Sequence, residues 1–209
     1  MRFGSAKALV FDFDGTLVDS NAIKWKAFEV CFDRFPAYRE EILSYCQANN
    51  HTTRYEKFRW VYERILKLPY NPVVEEQLSR LFEEQSTRQI VEAPEIPGAA
   101  AFLKRRKGKQ ALVLLSSTPQ PILLKILAGR GWESLFDEVR GAPVDKTAFL
   151  EEFLVRKSLR REEVLFFGDT SEDADAARRA GWSFVAVRPT KKELTEGEWV
   201  ADLREGKDA

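Results

Sequence analysis

The stretch KALVFDFDGTLVDS, residues 7–20, decides how this chain reads. Four apolar residues, Ala8, Leu9, Val10 and Phe11, run into two acids, Asp12 and Asp14, with Gly15 and Thr16 directly after. An apolar run this short, bounded by a turn signal, reads as a buried strand rather than a helix. Two carboxylates at the end of a buried strand are costly, because like charges held close resist joint ionisation. A divalent cation is the simplest offset, since hard cations take oxygen ligands. One carboxylate could then be a nucleophile and the other an acid or base. Asp14-Gly15 alone would be a turn and Asp12 a solvated strand end; the whole string points to chemistry.

Outward from this stretch, Asp19 or Ser20 is expected to cap a helix reaching about Phe35, where Pro36 breaks the chain. Residues 37–50 read as helical. In TRYEKFRWVYERILKL, residues 53–68, Tyr55, Phe58, Tyr62, Ile65 and Leu66 share one face with charges opposite. Asn71-Pro72 opens another amphipathic helix, and Pro94 and Pro97-Gly98 mark a boundary. Beyond it the pattern changes to alternating elements. Helix 98–107 precedes strand 111–115, which ends in Ser116-Ser117-Thr118-Pro119 ahead of a helix to about Gly129. Residues 145–157 read as helix and Val164–Phe167 as strand, ending in Gly168-Asp169. A helix follows over Ser171–Ala180, then a strand over Ser183–Val187 and a short one near Trp199-Val200. Alternation of this kind means an α/β fold, a parallel sheet with helices on both faces and sites beyond the carboxyl ends of the strands.

Composition narrows the class. The chain has 209 residues, which suits one core plus an insert. Its 44% hydrophobic and 12% aromatic content is enough for a packed core. Lys+Arg and Asp+Glu balance at 33 each, which argues against a general nucleic-acid or membrane-surface binder. Cys31 and Cys46 make no disulfide framework, and no leader or long apolar span is evident. The expectation is a cytoplasmic protein, monomer or homodimer.

Three strand ends carry polar groups at one edge of the sheet: Asp12 and Asp14, then Ser116 with Ser117, then Asp169 with Asp173 four residues on. Thr118 is expected to cap the helix after it, with Pro119 at its first position. Ser116 could be a cap as well, or could aim its hydroxyl at a phosphate oxygen. Asp173 falls in a helix's first turn, where the macrodipole favours acids. Lys146 goes against that rule: a cation in a first turn costs a few tenths to ~1 kcal/mol, so an anionic partner, a phosphate or an aspartate, is expected.

These motifs in this order resemble the haloacid dehalogenase superfamily, in its phosphoglycolate phosphatase-like branch. DFDGT at 12–16 is similar to its first motif, LLSS at 114–117 to the second, Lys146 to the third and GDTSED at 168–173 to the fourth. The resemblance implies a Rossmann-like core over residues 1–18 and 94–209, with an inserted C1-type helical cap over 19–93. It implies Asp12 as nucleophile and Asp14 as acid then base, with Ser116, Ser117 and Lys146 on the phosphoryl group. It also implies Mg²⁺ held by Asp12, Asp14 (through its backbone carbonyl), Asp169 and Asp173. An acid at Asp14 favours phosphate esters over halides, because an alcohol leaving group needs a proton.

The segment NNHTTRYEKFRW, residues 49–60, resembles the specificity loop of such caps, which makes Arg54, Lys57 and His51 candidates for substrate contact. The expected function is a Mg²⁺-dependent phosphatase for a small phosphorylated metabolite, acting through an aspartyl-phosphate. A phosphomutase on the same scaffold is the alternative. A phosphoryl-sensing receiver fits less well, because its lysine follows the other groups and it has no helical insert.

Overall fold

The computed structural model describes residues 3–49, 52–189 and 192–204. The chain divides into two compact units, Met1–Asp19 with Pro94–Ala209, and Ser20–Ala93. The first unit opens with β1 (Ala8–Phe11). The second holds α1 (Asn21–Cys31), α2 (Arg39–Ala48), α3 (Arg54–Trp60) and α4 (Pro72–Glu92). The chain returns through α5 (Ala99–Arg106), β2 (Ala111–Pro119), α6 (Gln120–Arg130), β3 (Glu138–Ala142) and α7 (Lys146–Lys157). It finishes with β4 (Val164–Gly168), α8 (Ser171–Ala180), β5 (Ser183–Val187) and β6 (Glu198–Val200).

The six strands form one parallel sheet in the order β3-β2-β1-β4-β5-β6. β1 is therefore interior, and the order reverses beside it, which is where open α/β sheets bind ligands. All four β1 residues are fully buried, as expected of a parallel strand covered on both faces. Period-two alternation sends its side chains to two cores. Ala8 and Val10 join Val113, Leu115 and Phe166 against Phe149, Leu150 and Phe153 of α7 and Ala176, Ala177 and Ala180 of α8. On the other face Phe11 stacks on Phe167 at 4.8 Å, and both meet Phe102 of α5 edge-on.

At the sheet's opposite end a buried side-chain amide holds the start of the chain. Gln110, between α5 and β2, donates to the carbonyls of Phe3 at 2.7 Å and Ala6 at 2.6 Å, tying the amino-terminal segment to the core. The two points where the chain leaves and re-enters this unit lie side by side. Asp19 N donates to Pro94 O at 3.0 Å, and Ile96 N to Leu17 O at 2.9 Å. Termini this close are what an insertion into a stable unit requires.

Three local expectations are corrected. β3 was not anticipated: Glu138-Val139-Arg140-Gly141-Ala142 has no apolar run, because an edge strand is only partly covered. The first insert helix ends at Cys31 rather than near Phe35, with Ser20 before it making no side-chain cap. The segment after Thr53 is α-helical only to Trp60 and then takes a π turn over Val61–Ile65, closed by Leu66 N to Val61 O at 2.8 Å. A π turn inserts one residue per turn, so it resets which side chains face the core. The start of α3 is well defined: Thr53 and Glu56 cap each other's backbone N–H reciprocally.

The second unit has its own core of Phe28, Phe32, Phe58, Tyr62, Leu78 and Phe82 with both cysteines, and Phe28 meets Phe82 at 4.7 Å. Cys31 Sγ donates to Leu78 O at 3.6 Å. Burial pushes both thiols up to about 12. Thiolate is the reactive form, so neither should react in the native state. With an aromatic disulfide reagent at mildly alkaline pH, native protein should release almost no thiolate chromophore. Protein in concentrated urea should release two equivalents. Fast stoichiometric labelling of native protein would contradict this packing.

Candidate active site

Strand register brings the first residues of the site together. Phe11 pairs with Leu114 of β2 and with Phe167 of β4, so the residues after these positions emerge at one level of the sheet's carboxyl edge. Asp12 is fixed there by its own N–H, which donates to Phe167 O at 2.8 Å. Ser116 and Asp169 follow on the two neighbouring strands.

Lys146 is the first residue of α7, and Asp145 caps that helix by accepting from Ala148 N at 2.8 Å. Its ammonium donates to Asp12 Oδ1 at 2.7 Å and to Asp173 Oδ1 at 2.6 Å. These two carboxylates are the anionic partners that its unfavourable helix position calls for. Asp173 is held from the other side by Thr170, whose hydroxyl donates to Asp173 Oδ2 at 2.6 Å while accepting from Asp173 N at 3.2 Å. Gly168 makes room for this arrangement. A Cβ at Gly168 would lie 2.5 Å from Asp173 Cβ and 2.8 Å from its Oδ2, so only glycine lets the acid rest against the end of β4. Thr16, fully buried, makes a long contact from Oγ1 to Asp169 Oδ1 at 3.5 Å.

Asp12, Asp169 and Asp173 each offer a carboxylate oxygen, and these oxygens lie within 4.8 Å of one another. Such an all-oxygen set could hold a hard cation. Burial is the main influence on Asp12 and pushes its carboxyl up to about 7; Lys146 pulls it down, while Asp173 and Asp14 push it further up. Burial works to deprotonate Lys146, but Asp12 and Asp173 together outweigh it and hold the ammonium well above the ordinary lysine value.

Asp14 is buried two residues beyond Asp12, and its Oδ2 accepts from Thr118 Oγ1 at 3.1 Å. Thr118 is therefore not the cap of α6: Pro119 occupies the cap position, and no side chain caps that helix. Ser116 is buried, its Oγ accepting from Thr118 N at 3.1 Å, and Ser117 beside it is half-buried. Sequence reasoning missed Thr16, Thr118 and Thr170 as site contacts. The T-x-x-D spacing of Thr170 and Asp173 was a readable capping signal. Nothing local points from Thr118 to a residue 104 positions away.

Of the substrate candidates, Arg54 and Lys57 lie on α3 of the second unit and are buried, at 8% and 3% exposure. The Arg54 guanidinium sits over Phe82 at 5.2 Å, and its Nε has no hydrogen-bond partner. Burial draws Arg54 below its ordinary value. Lys57 Nζ lies 5.1 Å from the Phe28 ring centre. His51 lies outside the described residues.

With fold and geometry established, comparison places the chain. It matches the haloacid dehalogenase-like hydrolase family over residues 6–181 and belongs to that family of hydrolases. It is similar to a phosphoglycolate phosphatase of Synechococcus elongatus, 26% identical over 87% of this chain and 83% of that one. A phosphoglycolate phosphatase of Yersinia pestis is 25% identical over 90% and 83%. In fold the chain is similar to CbbY of Rhodobacter sphaeroides in complex with phosphate, with a TM-score of 0.74, 18% identity and 96% of each chain covered. Among the described residues, no helix is long and apolar enough to cross a membrane.

The raised carboxyl of Asp12 has a consequence for stability. Between its ordinary 3.8 and about 7, the folded protein holds a proton that the unfolded chain has lost. Stability therefore falls as pH rises through that window. Asp12→Asn removes the titrating group. In EDTA, its melting temperature should rise relative to wild type as pH goes from about 4 to about 8. A constant difference across that range would contradict the assignment.

Proposed function

We propose that this hydrolase is a Mg²⁺-dependent phosphatase that cleaves a small phosphorylated metabolite through an aspartyl-phosphate on Asp12. The observation that carries the reading is the Lys146 ammonium shared between Asp12 and Asp173 at the carboxyl edge of the central strand, with Asp14 two residues away. A carboxylate fixed by its own backbone N–H and by a cation has its attacking oxygen oriented before substrate arrives.

Asp12, Asp169 and Asp173, with the backbone carbonyl of Asp14, are the residues that would hold Mg²⁺. When bound, the ion supplies charge neutralisation for the phosphoryl oxygens and lets the clustered acids ionise together. In the first half-reaction a carboxylate oxygen of Asp12 forms a bond to phosphorus as the bond to the ester oxygen breaks. Asp14 gives its proton to that oxygen, so a neutral alcohol leaves. In the second, water attacks phosphorus and gives a proton to Asp14. The bond from Asp12 to phosphorus breaks, and phosphate leaves with both acids restored. Lys146 has three N–H donors, two of them directed at Asp12 and Asp173, so the third can serve a phosphoryl oxygen. Ser116 and Ser117, on the adjacent strand end, would hold the other phosphoryl oxygens.

The insert is proposed as the substrate-reading cap. Arg54 and Lys57, the buried cations of α3, are the residues proposed to meet an anionic part of the substrate. That favours a phosphoester carrying a second acidic group, with His51 a further candidate contact. The phosphoglycolate phosphatase relatives support the same substrate class, since phosphoglycolate carries a carboxylate beside its phosphate.

Phosphate release from a panel of esters, including 2-phosphoglycolate and sugar monophosphates, tests this reading. Wild type with Mg²⁺ should release phosphate. EDTA should abolish release, and Asp12→Asn should lower it by at least about a thousandfold, the loss expected of a covalent nucleophile. Arg54→Ala should raise KM for 2-phosphoglycolate more than for esters without a second anion. Isomerisation of a sugar monophosphate that depends on an added sugar bisphosphate, without net phosphate release, would assign a phosphomutase instead. No release from Mg²⁺-loaded protein across the panel would overturn the proposal.

A further inference from the structure

We propose that Thr118 is a positioning residue for the acid step, holding the Asp14 carboxyl in the orientation from which it protonates the leaving group. The inference rests on the phosphatase reading above and adds a residue to it. Thr118 and Asp14 are both buried, at 6% and 9% exposure, and the Thr118 hydroxyl donates to Asp14 Oδ2 at 3.1 Å. A carboxyl group turns about two side-chain bonds, and proton transfer needs its oxygen within hydrogen-bond reach of the departing atom. Anchoring one oxygen fixes the plane of the group and therefore where the other points.

The anchor is itself rigid. Thr118 N donates to Ser116 Oγ at 3.1 Å. Two residues on, the Gln120 amide bridges to β3, its Nε2 donating to Val139 O at 3.2 Å and its Oε1 accepting from Gly141 N. β3 is pressed directly against this turn. A Cβ at Gly141 would lie 2.5 Å from Thr118 O and 2.7 Å from Gln120 N, so glycine is required for the approach. The edge strand thus braces the segment that delivers the hydroxyl. A hydroxyl also suits the task chemically. It donates to Oδ2 both when Asp14 is a carboxylate and when the acid proton sits on the other oxygen, so the contact survives when Asp14 changes from acid to base.

The test is the first-turnover rate of leaving-group release with Mg²⁺ and enzyme in excess, for phenyl phosphate and p-nitrophenyl phosphate. Nitrophenolate departs without protonation far more readily than phenolate, so losing the positioned acid should slow phenyl phosphate selectively. Thr118→Val should lower the phenyl-to-nitrophenyl rate ratio about tenfold, a fraction of the 10²–10⁴ that general acid catalysis contributes. Thr118→Ser should restore the ratio, and Thr118→Ala should repeat the valine result if valine disturbs the fold. Asp14→Asn should lower the ratio further. A Thr118→Val or Thr118→Ala ratio equal to wild type, with Asp14→Asn still selective, would overturn the role of Thr118. If Asp14→Asn leaves the ratio unchanged, the acid assignment fails and this inference falls with it.

Discussion

Three carboxylates share a space of under 5 Å at the end of a buried strand, and one lysine sits among them. Their mutual repulsion and desolvation work against folding; burial alone moves Asp12 toward its neutral form. The surrounding construction answers this constraint. Lys146 stands at the positive end of α7, a poor place for a cation unless two anions await it, and Asp145 stabilises the helix start that brings it there. Gly168 removes the side chain that would keep Asp173 from the strand end, and Thr170 engages the carboxylate oxygen that Lys146 does not. Each of these residues exists for the cluster more than for the core beneath it. A protein built for stability alone would not collect these charges, so the collection itself indicates chemistry.

Topology makes the cluster possible. With β1 interior and β2 and β4 on its flanks, three loops converge where the strand order reverses. The chain can depart after Asp19 and return at Pro94 without disturbing that edge, because the two points are hydrogen-bonded to each other. A helical unit with its own aromatic core occupies the interval. The sheet supplies fixed positions for the acids, and the insert packs around a separate core of its own. That division fits a family in which one phosphoryl-transfer site would serve many substrates.

Much of this was legible in the sequence, for a physical reason. Parallel interior strands are buried on both faces, so β1, β2 and β4 appear as unbroken apolar runs, and the polar residue ending each run is conspicuous. Asp12, Ser116 and Asp169 were visible on that ground, and Lys146 by its violation of the helix dipole. What escaped depended on tertiary contact. β3 is an edge strand with Glu138 and Arg140 in it, so it carries no apolar signature. Thr118 looked like a helix cap because threonine before proline usually is one; only folding shows its hydroxyl spent on Asp14. The periodicity of residues 53–68 announced a helix but not the π turn at Val61–Ile65, which depends on how the turn packs. Arg54 and Lys57 read as candidate substrate contacts on the charged side of residues 53–68, and only folding shows both to be buried.

The proposed chemistry makes Asp12, directly after β1, the residue that becomes covalently phosphorylated. It is tested most directly by quenching the Mg²⁺-loaded enzyme during turnover of 2-phosphoglycolate, reducing with borohydride and reading the peptide that contains residue 12 by mass spectrometry. An acyl-phosphate reduces to an alcohol, so the account predicts homoserine in place of Asp12, with Asp14 unchanged. Turnover with residue 12 unmodified, or with the modification on another acid, would contradict it.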